Sequence, residues 1–305
     1  MDDLREFRTV VLAALLHDIG KFLMRGRDLP FPIKGTHPEV SQQFVSAFAD
    51  TFTPVADIDL LKTLVLCHHQ ASIDGISDPR QRILAHLVNK ADRLSAGERG
   101  QRVTGGQDYK TTPLASVFPR LFAGEARPQL RRHHPVALSA ARSLPGDIFP
   151  ADFPDYARGE LEKALTTFGN KASPLLRSLE GKDFDTVVSH LLALLAAHTW
   201  PIPADTQEEV PDISLYDHLR TTAAIASCLY QYYEERNSWQ DGKSHPANGQ
   251  PFVLAVGDVS GIQEYIFDIR TGTDAPLAKR LRARSLFIQL IGEVVPLKIL
   301  QEFQL

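Results

Sequence analysis

The chain has 305 residues, 43% of them hydrophobic and 23% charged, with a formal net charge of −4. That length implies one large domain plus part of another, or two domains, and the charge leaves any polyanion to meet local basic patches. Two cysteines, Cys67 and Cys228, exclude a disulfide framework or a cysteine-built zinc site; the absence of a signal pattern or long apolar run makes a cytoplasmic, membrane-free protein the expectation.

Apolar residues Phe7, Val10, Val11, Ala14, Leu15 and Ile19 recur at helical spacing, which predicts a helix over 4–21 with Gly20 as its local ending. Residues 22–36, with Gly26, Pro30, Pro32 and Gly35, read as loop. Helices are expected over 37–48, 57–69 and 78–95. Residues 97–135, rich in Gly, Arg and Pro, read as a long, partly mobile loop. Helical patterning returns over 154–168, 183–198 and 214–235, and the polar stretch 236–251 reads as a linker. The apolar run 252–256 then reads as a buried strand, followed by a helix over 260–269. A basic segment leads into a helix over 285–295, with Pro296 as a kink or stop.

The fold class expected from this order is mainly α, with a switch to β/α near 252. Three regions follow: 1–236, a linker at 237–251, and 252–305. Leu and Ala dominate over β-branched residues, in keeping with helices.

The chemistry concentrates in the first region. His17 and Asp18 are adjacent near a helix end, and such an imidazole–carboxylate pair can grip a divalent ion from two directions. Alone the dipeptide is weak evidence, and a structural pair is its ordinary reading. His37, His68, His69 and Asp92 follow, each on a segment that reads as helix, completing a ligand inventory for one or two ions. Each has a second reading. Thr36-His37-Pro38 also fits a helix entry, and Asp92 could pair with Arg93. His68 and His69, if helical, point about 100° apart, so both need not face one ion. Lys21 reads either as a phosphate contact, which would make it catalytic with His17 and Asp18, or as a stem covering apolar surface. His133 and His134 read as solvated loop residues.

The series His-Asp-x-Gly-Lys, His, His-His and Ala91-Asp92 resembles the HD phosphohydrolase superfamily, especially the HD nucleases of CRISPR systems. That superfamily normally has a further histidine on a preceding helix, and no histidine precedes His17. The candidate is His218, in a small-residue-rich stretch similar to the first helix of HD domains, so the domain would be circularly permuted. Its ordinary reading is an exposed helix histidine.

A permuted HD domain is similar to that of the large subunit of type III-A CRISPR effector complexes. Val256-Gly257-Asp258-Val259-Ser260-Gly261-Ile262-Gln263 and the basic run Lys279, Arg280, Arg282, Arg284 resemble the start of that family's first palm domain, with Ala283 where the family often has Gly. The resemblance covers roughly 1–95 and 210–290 and leaves 97–205 without a motif.

The resemblance implies a permuted helical HD domain followed by the start of an α/β ferredoxin-like palm. It implies metal-dependent cleavage of single-stranded DNA, with His17, Asp18, His37, His68, His69, Asp92 and His218 holding one or two ions. Imidazole ligands favour manganese, nickel, cobalt or iron. Asp258, Ser260, Gly261, Lys279, Arg280, Arg282 and Arg284 would meet nucleotide or nucleic acid, although a solvated helix face is an equal reading of the basic run. Partners implied are guide RNA and target RNA, reached through the complex, and Csm-type sister subunits, including the small and guide-handle-binding subunits. The family's cyclic oligoadenylate chemistry needs a Gly-Gly-Asp-Asp motif absent here, so ATP would concern only a full-length subunit, of which this chain reads as a fragment. Two alternatives stand: a small-nucleotide HD phosphohydrolase, and a non-catalytic scaffold of the complex.

Overall fold

The structure is a computed structural model that describes residues 3–26, 29, 31, 33–97, 108–118, 131–138, 148–156, 159–236, 239, 256–267 and 277–302. It divides into two compact units, Met1–Phe252 and Val253–Leu305. The described residues of both units are predominantly helical.

The first helix, α1 (Asp3–Leu16), stops one residue before the His-Asp pair, and α2 (Ile19–Leu23) begins directly after it. The expected single helix is therefore broken at His17-Asp18, with Asp18 at φ −109°, ψ 7°. Gly20 does not end a helix but lies inside α2. A Cβ there would stand 2.0 Å from the His37 carbonyl oxygen, so only glycine lets the two backbones meet.

Next come α3 (His37–Ala47), α4 (Ala49–Phe52), α5 (Ile58–Leu66), α6 (Gln70–Ile73) and α7 (Pro79–Ser95). Caps fix their starts. Asp57 accepts from the amides of Asp59 and Leu60, and Asp78 from that of Gln81 with Pro79 as the first helical residue. At α3 the Glu39 carboxylate accepts from the Thr36 amide and hydroxyl. Because α5 ends at Leu66, His68 and His69 lie beyond its end rather than on it, and His69 is extended (φ −99°, ψ 144°).

The later helices are α8 (Glu160–Ser178), α9 (Phe184–Thr199) and α10 (Leu215–Glu235). The first of these begins later and runs further than the periodicity implies, and Pro174 sits within it. The long α10 packs most extensively against α1 and α7, and α1 also packs on α5. Their shared core includes Leu12, Leu16, Leu61, Leu64, Leu84 and Leu219, all fully buried. Each such side chain stabilises by about 1.5–3 kcal/mol. A second focus joins α2, α3 and α8 through Phe22, Phe44 and Phe168, with Phe22 edge-on to Phe168 at 5.4 Å.

Between α7 and α8 the described parts of the expected long loop are paired, not free: isolated bridges join Ala115 to Arg132 and Arg132 to Ala151. His133 and His134 are half-buried rather than solvated. His134 stacks on Phe153 at 4.3 Å and approaches Glu160 at 3.1 Å, and His133 meets the Trp200 ring edge-on. Of the expected linker, Trp239 packs on Tyr230 and Tyr233 with Arg80 over its ring, and residues 240–251 lie outside the described residues.

In the second unit, α11 (Ile262–Phe267) follows a turn in which Gly261 has φ +74°. Then α12 (Leu277–Glu302) runs straight through Pro296, which neither stops it nor begins a new element. The expected strand over 252–256 falls almost wholly outside the described residues. No described helix is long and apolar enough to cross a membrane.

Candidate metal centre

The break between α1 and α2 turns His17 and Asp18 into the middle of the first unit, where both are at most 1% exposed. Around them α7 contributes Asp92, the start of α3 contributes His37, the turn after α5 contributes His68 and His69, and α10 contributes His218.

The contacts converge on Asp18. One carboxylate oxygen, Oδ1, lies 3.2 Å from His37 Nε2 and 3.6 Å from His68 Nε2. The other, Oδ2, lies 3.4 Å from His17 Nε2, 3.5 Å from His218 Nε2 and 2.5 Å from Lys21 Nζ. Asp92 Oδ1 is 3.1 Å from His218 Nε2 and 3.6 Å from His17 Nε2. Two donor sets result: His17, Asp18, Asp92 and His218, and His37, His68 and His69, each with ligand atoms within 4.8 Å of one another. Asp18 lies against both.

The imidazoles are held from behind. The Ala14 carbonyl lies 2.8 Å from His17 Nδ1 and the Val65 carbonyl 2.7 Å from His68 Nδ1. A carbonyl only accepts, so each Nδ1 carries a proton and each Nε2 is turned to the centre, where it is the atom left to hold a cation or a second proton. Asn89 donates to the His68 carbonyl at 2.7 Å and fixes that turn on α7.

His17 Nε2, His68 Nε2, His218 Nε2 and Asp18 Oδ1 are all buried and make no hydrogen bond of acceptable geometry. Leaving such atoms unsatisfied costs about 1–3 kcal/mol each, so four of them gathered around the Asp18 carboxylate fit a site for cations. Nitrogen and oxygen donors of this kind suit divalent transition metals.

Electrostatics agree. Burial opposes charge on Asp18, yet Lys21 and His17 hold its carboxyl well below the usual range. Burial likewise opposes charge on Asp92, and His17 and His218 outweigh it. For His17, burial is overcome by Asp18 and Asp92, and its pKa is pushed up to about 10. His69 moves the other way, down to about 4, through burial and the neighbouring His68 and His37. Without a cation, a proton on His17 balances two carboxylates in a dry pocket.

All seven expected metal-site residues therefore gather in one place. His37 opens α3, as a helix entry would, and its Nε2 faces Asp18 Oδ1 at 3.2 Å. Asp92 faces the histidines rather than pairing with Arg93, and His218 is buried at 2% exposure, not exposed. Lys21 meets Asp18 and also donates to the Ala204 carbonyl at 3.1 Å.

In the second unit, Asp258, Ser260 and Gly261 are exposed in the turn before α11, and Lys279, Arg280, Arg282 and Arg284 lie on α12. Arg284 already serves the fold, donating to the Tyr265 carbonyl and lying over that ring.

Sequence reasoning missed the supporting residues. Ser41 accepts from the Gly20 amide at 2.8 Å, and buried Arg25 donates to the carbonyls of Lys21 and Thr112, joining 108–118 to α2. Ser95, three residues beyond Asp92, was legible only as a helical neighbour on that face.

Comparison with known proteins sets this centre in context. Residues 3–97 match the HD domain family and residues 251–305 match the family described as Csm1 subunit domain B. A relative from Methanocaldococcus jannaschii, named CRISPR system single-strand-specific deoxyribonuclease Cas10/Csm1 (subtype III-A), is 30% identical over all of this chain and 40% of its own length. The like-named protein of Thermococcus onnurineus is 31% identical over 96% of this chain and 35% of its own. Along almost its whole length the chain is similar to proteins named Cas10/Csm1. It spans well under half the length of these curated relatives. A solved Csm1–Csm4 subcomplex of the type III-A CRISPR-Csm interference complex shares the fold, with a TM-score of 0.62, 24% identity and coverage of 98% of this chain and 36% of that one. The HD match ends at residue 97, whereas the centre also draws on His218 of α10.

Proposed function

We propose that this chain is the metal-dependent nuclease part of a type III-A CRISPR effector subunit and cuts single-stranded DNA. The observation that carries the reading is that His17 Nε2, His68 Nε2, His218 Nε2 and Asp18 Oδ1 are buried and unsatisfied within the two donor sets that meet at Asp18. The relatives' names supply the substrate class.

In this reading His17, Asp18, Asp92 and His218 hold one divalent ion, and His37, His68 and His69, with Asp18, hold a second. Manganese, nickel, cobalt or iron suit so imidazole-rich a set better than magnesium. A cation held by these residues would supply polarisation of a phosphodiester and activation of water near neutral pH. The residues do the rest. The Ala14 and Val65 carbonyls aim the imidazoles, Lys21 holds Asp18 and offers a positive charge beside a phosphate, and exposed His69 marks the side from which substrate enters.

The remaining assignments follow the same family: Csm-type sister subunits as partners, guide and target RNA reached through the assembled complex, and a cytoplasmic location. Asp258, Ser260, Gly261, Lys279, Arg280, Arg282 and Arg284 are the candidate nucleotide or nucleic-acid contacts of the second unit. ATP chemistry would belong to a longer subunit. The domain limits proposed are 1–236 for the nuclease part and 252–305 for the beginning of a palm.

The test is cleavage of labelled single-stranded DNA with added manganese, comparing the parent chain with His17→Ala/Asp18→Ala. Loss of cleavage in the variant is expected. Equal cleavage by both, or turnover of free nucleotides but not DNA, overturns the assignment.

A further inference from the structure

Three imidazoles face the buried heart of the centre, and they are not held alike. His17 and His68 give their Nδ1 protons to backbone carbonyls three residues earlier, an arrangement any side chains would preserve. His218 sits in the first turn of α10, and its Nδ1 meets a side chain instead. Its Nδ1 lies 3.0 Å from Ser95 Oγ, and the same hydroxyl lies 3.2 Å from the His218 carbonyl oxygen.

Proton counting decides the direction. A hydroxyl has one proton, and a carbonyl can only accept. If Ser95 serves both partners, its proton goes to the His218 carbonyl and its lone pair accepts from Nδ1–H. The ring is then fixed with Nε2 bare, pointing at Asp92 Oδ1 at 3.1 Å and Asp18 Oδ2 at 3.5 Å.

Ser95 and Asp92 are three residues apart on α7, one turn, so they address opposite sides of the same imidazole. Helix α7 thus grips His218 front and back. This matters because His218 arrives on α10, far along the chain, and its alignment rests on a side chain where those of His17 and His68 rest on backbone.

We propose that Ser95 is a positioning residue that sets the tautomer and orientation of His218, and so couples the docking of α10 to cation affinity. The proposal rests on the metal reading above. Groups behind metal-ligating histidines typically govern affinity by about 10–100-fold.

The experiment uses the whole 305-residue chain with Ser95→Ala and Ser95→Thr. Manganese binding is followed by calorimetry, and the His218 ring nitrogens by 15N spectroscopy of the metal-free protein at a pH where the ring is neutral. Ser95→Ala should bind manganese at least tenfold more weakly, with an unfolding temperature within a few degrees of the parent, and should lose the pure Nδ1–H signature. Ser95→Thr, which keeps the hydroxyl, should restore both. A Ser95→Ala chain that binds as tightly as the parent, or keeps His218 wholly in the Nδ1–H form, overturns the proposal. If the parent binds no manganese, the metal reading fails, and the nitrogen spectra still decide what Ser95 does.

Discussion

Replacing Gly20 with alanine separates two opposing expectations. Gly20 lies inside α2, where helix propensity alone predicts that Gly→Ala stabilises by about 1 kcal/mol. The structure predicts the reverse. The new Cβ would lie 2.0 Å from the His37 carbonyl oxygen, 2.9 Å from its carbon and 2.9 Å from Ser41 Oγ. An ordinary contact needs roughly 3.5 Å, so α2 and α3 must separate by on the order of 1 Å. The obstacle is backbone at a helix start, which cannot swing aside as a side chain would. Overpacking of this kind costs about 1–3 kcal/mol. At roughly 2–4 °C per kcal/mol for a domain of this size, the unfolding temperature should fall by about 2–12 °C. The displaced element carries His37, 3.2 Å from Asp18 Oδ1, and leaves His17, Asp92 and His218 in place. Gly20→Ala should therefore weaken one part of a manganese titration and spare the other. Thermal unfolding by circular dichroism and calorimetry read both effects. A variant as stable as the parent with an unchanged titration would refute the reasoning.

The other expectations concern charge. Arg80 pairs with buried Glu6, which also accepts from Tyr230 Oη at 2.8 Å; Arg80→Met should cost about 2–3 kcal/mol in urea unfolding, and Glu6→Gln with Arg80→Met should cost less than that single change, because the uncompensated carboxylate is the larger penalty. His198 is held neutral, its pKa lowered to about 4 by burial and then by Lys171. The unfolded chain, at about 6.5, therefore binds more protons between pH 6.5 and 4, and stability is lost as pH falls through that window. His198→Gln should flatten the fall by about 2 kcal/mol at pH 4, and parallel pH profiles of the two proteins would contradict this. Manganese at a hundred times its dissociation constant should stabilise the chain by about 2.7 kcal/mol. In His218→Ala that gain should shrink, as read by melting with and without chelator.

Much of the centre was legible because its residue types are rare and ordered. An His-Asp pair, a later His-His and an Ala-Asp on amphipathic segments leave few chemistries that use them all. What periodicity could not show was where helices stop. The pattern runs through His17-Asp18 without interruption, yet the chain breaks there because Asp18 leaves helical geometry to meet Lys21 and the histidines. The same holds after Leu66, where His68 and His69 gain their reach by not being helical. Tertiary contacts override local preference at both points. The pairing of Ala115, Arg132 and Ala151 was invisible for another reason: single bridges leave no alternating pattern to read.

The arrangement also explains why the centre needs the far end of its unit. Residues 3–97 supply six of the seven candidate ligands (His17, Asp18, His37, His68, His69 and Asp92), but α1 and α7 bury their apolar faces largely against α10. Without that helix the pocket would be wet, and the forces that hold Asp18 and Asp92 ionised against burial would be screened. His218 then contributes twice, as the ligand atom that closes one donor set and as part of the helix that keeps water out. Closing a loop from α7 to α10 costs little more than closing a shorter one, since the entropy grows only logarithmically with length. A residue from so late in the chain can thus complete the site at little entropic cost, provided something aligns its imidazole, and the hydroxyl of Ser95 stands 3.0 Å behind it.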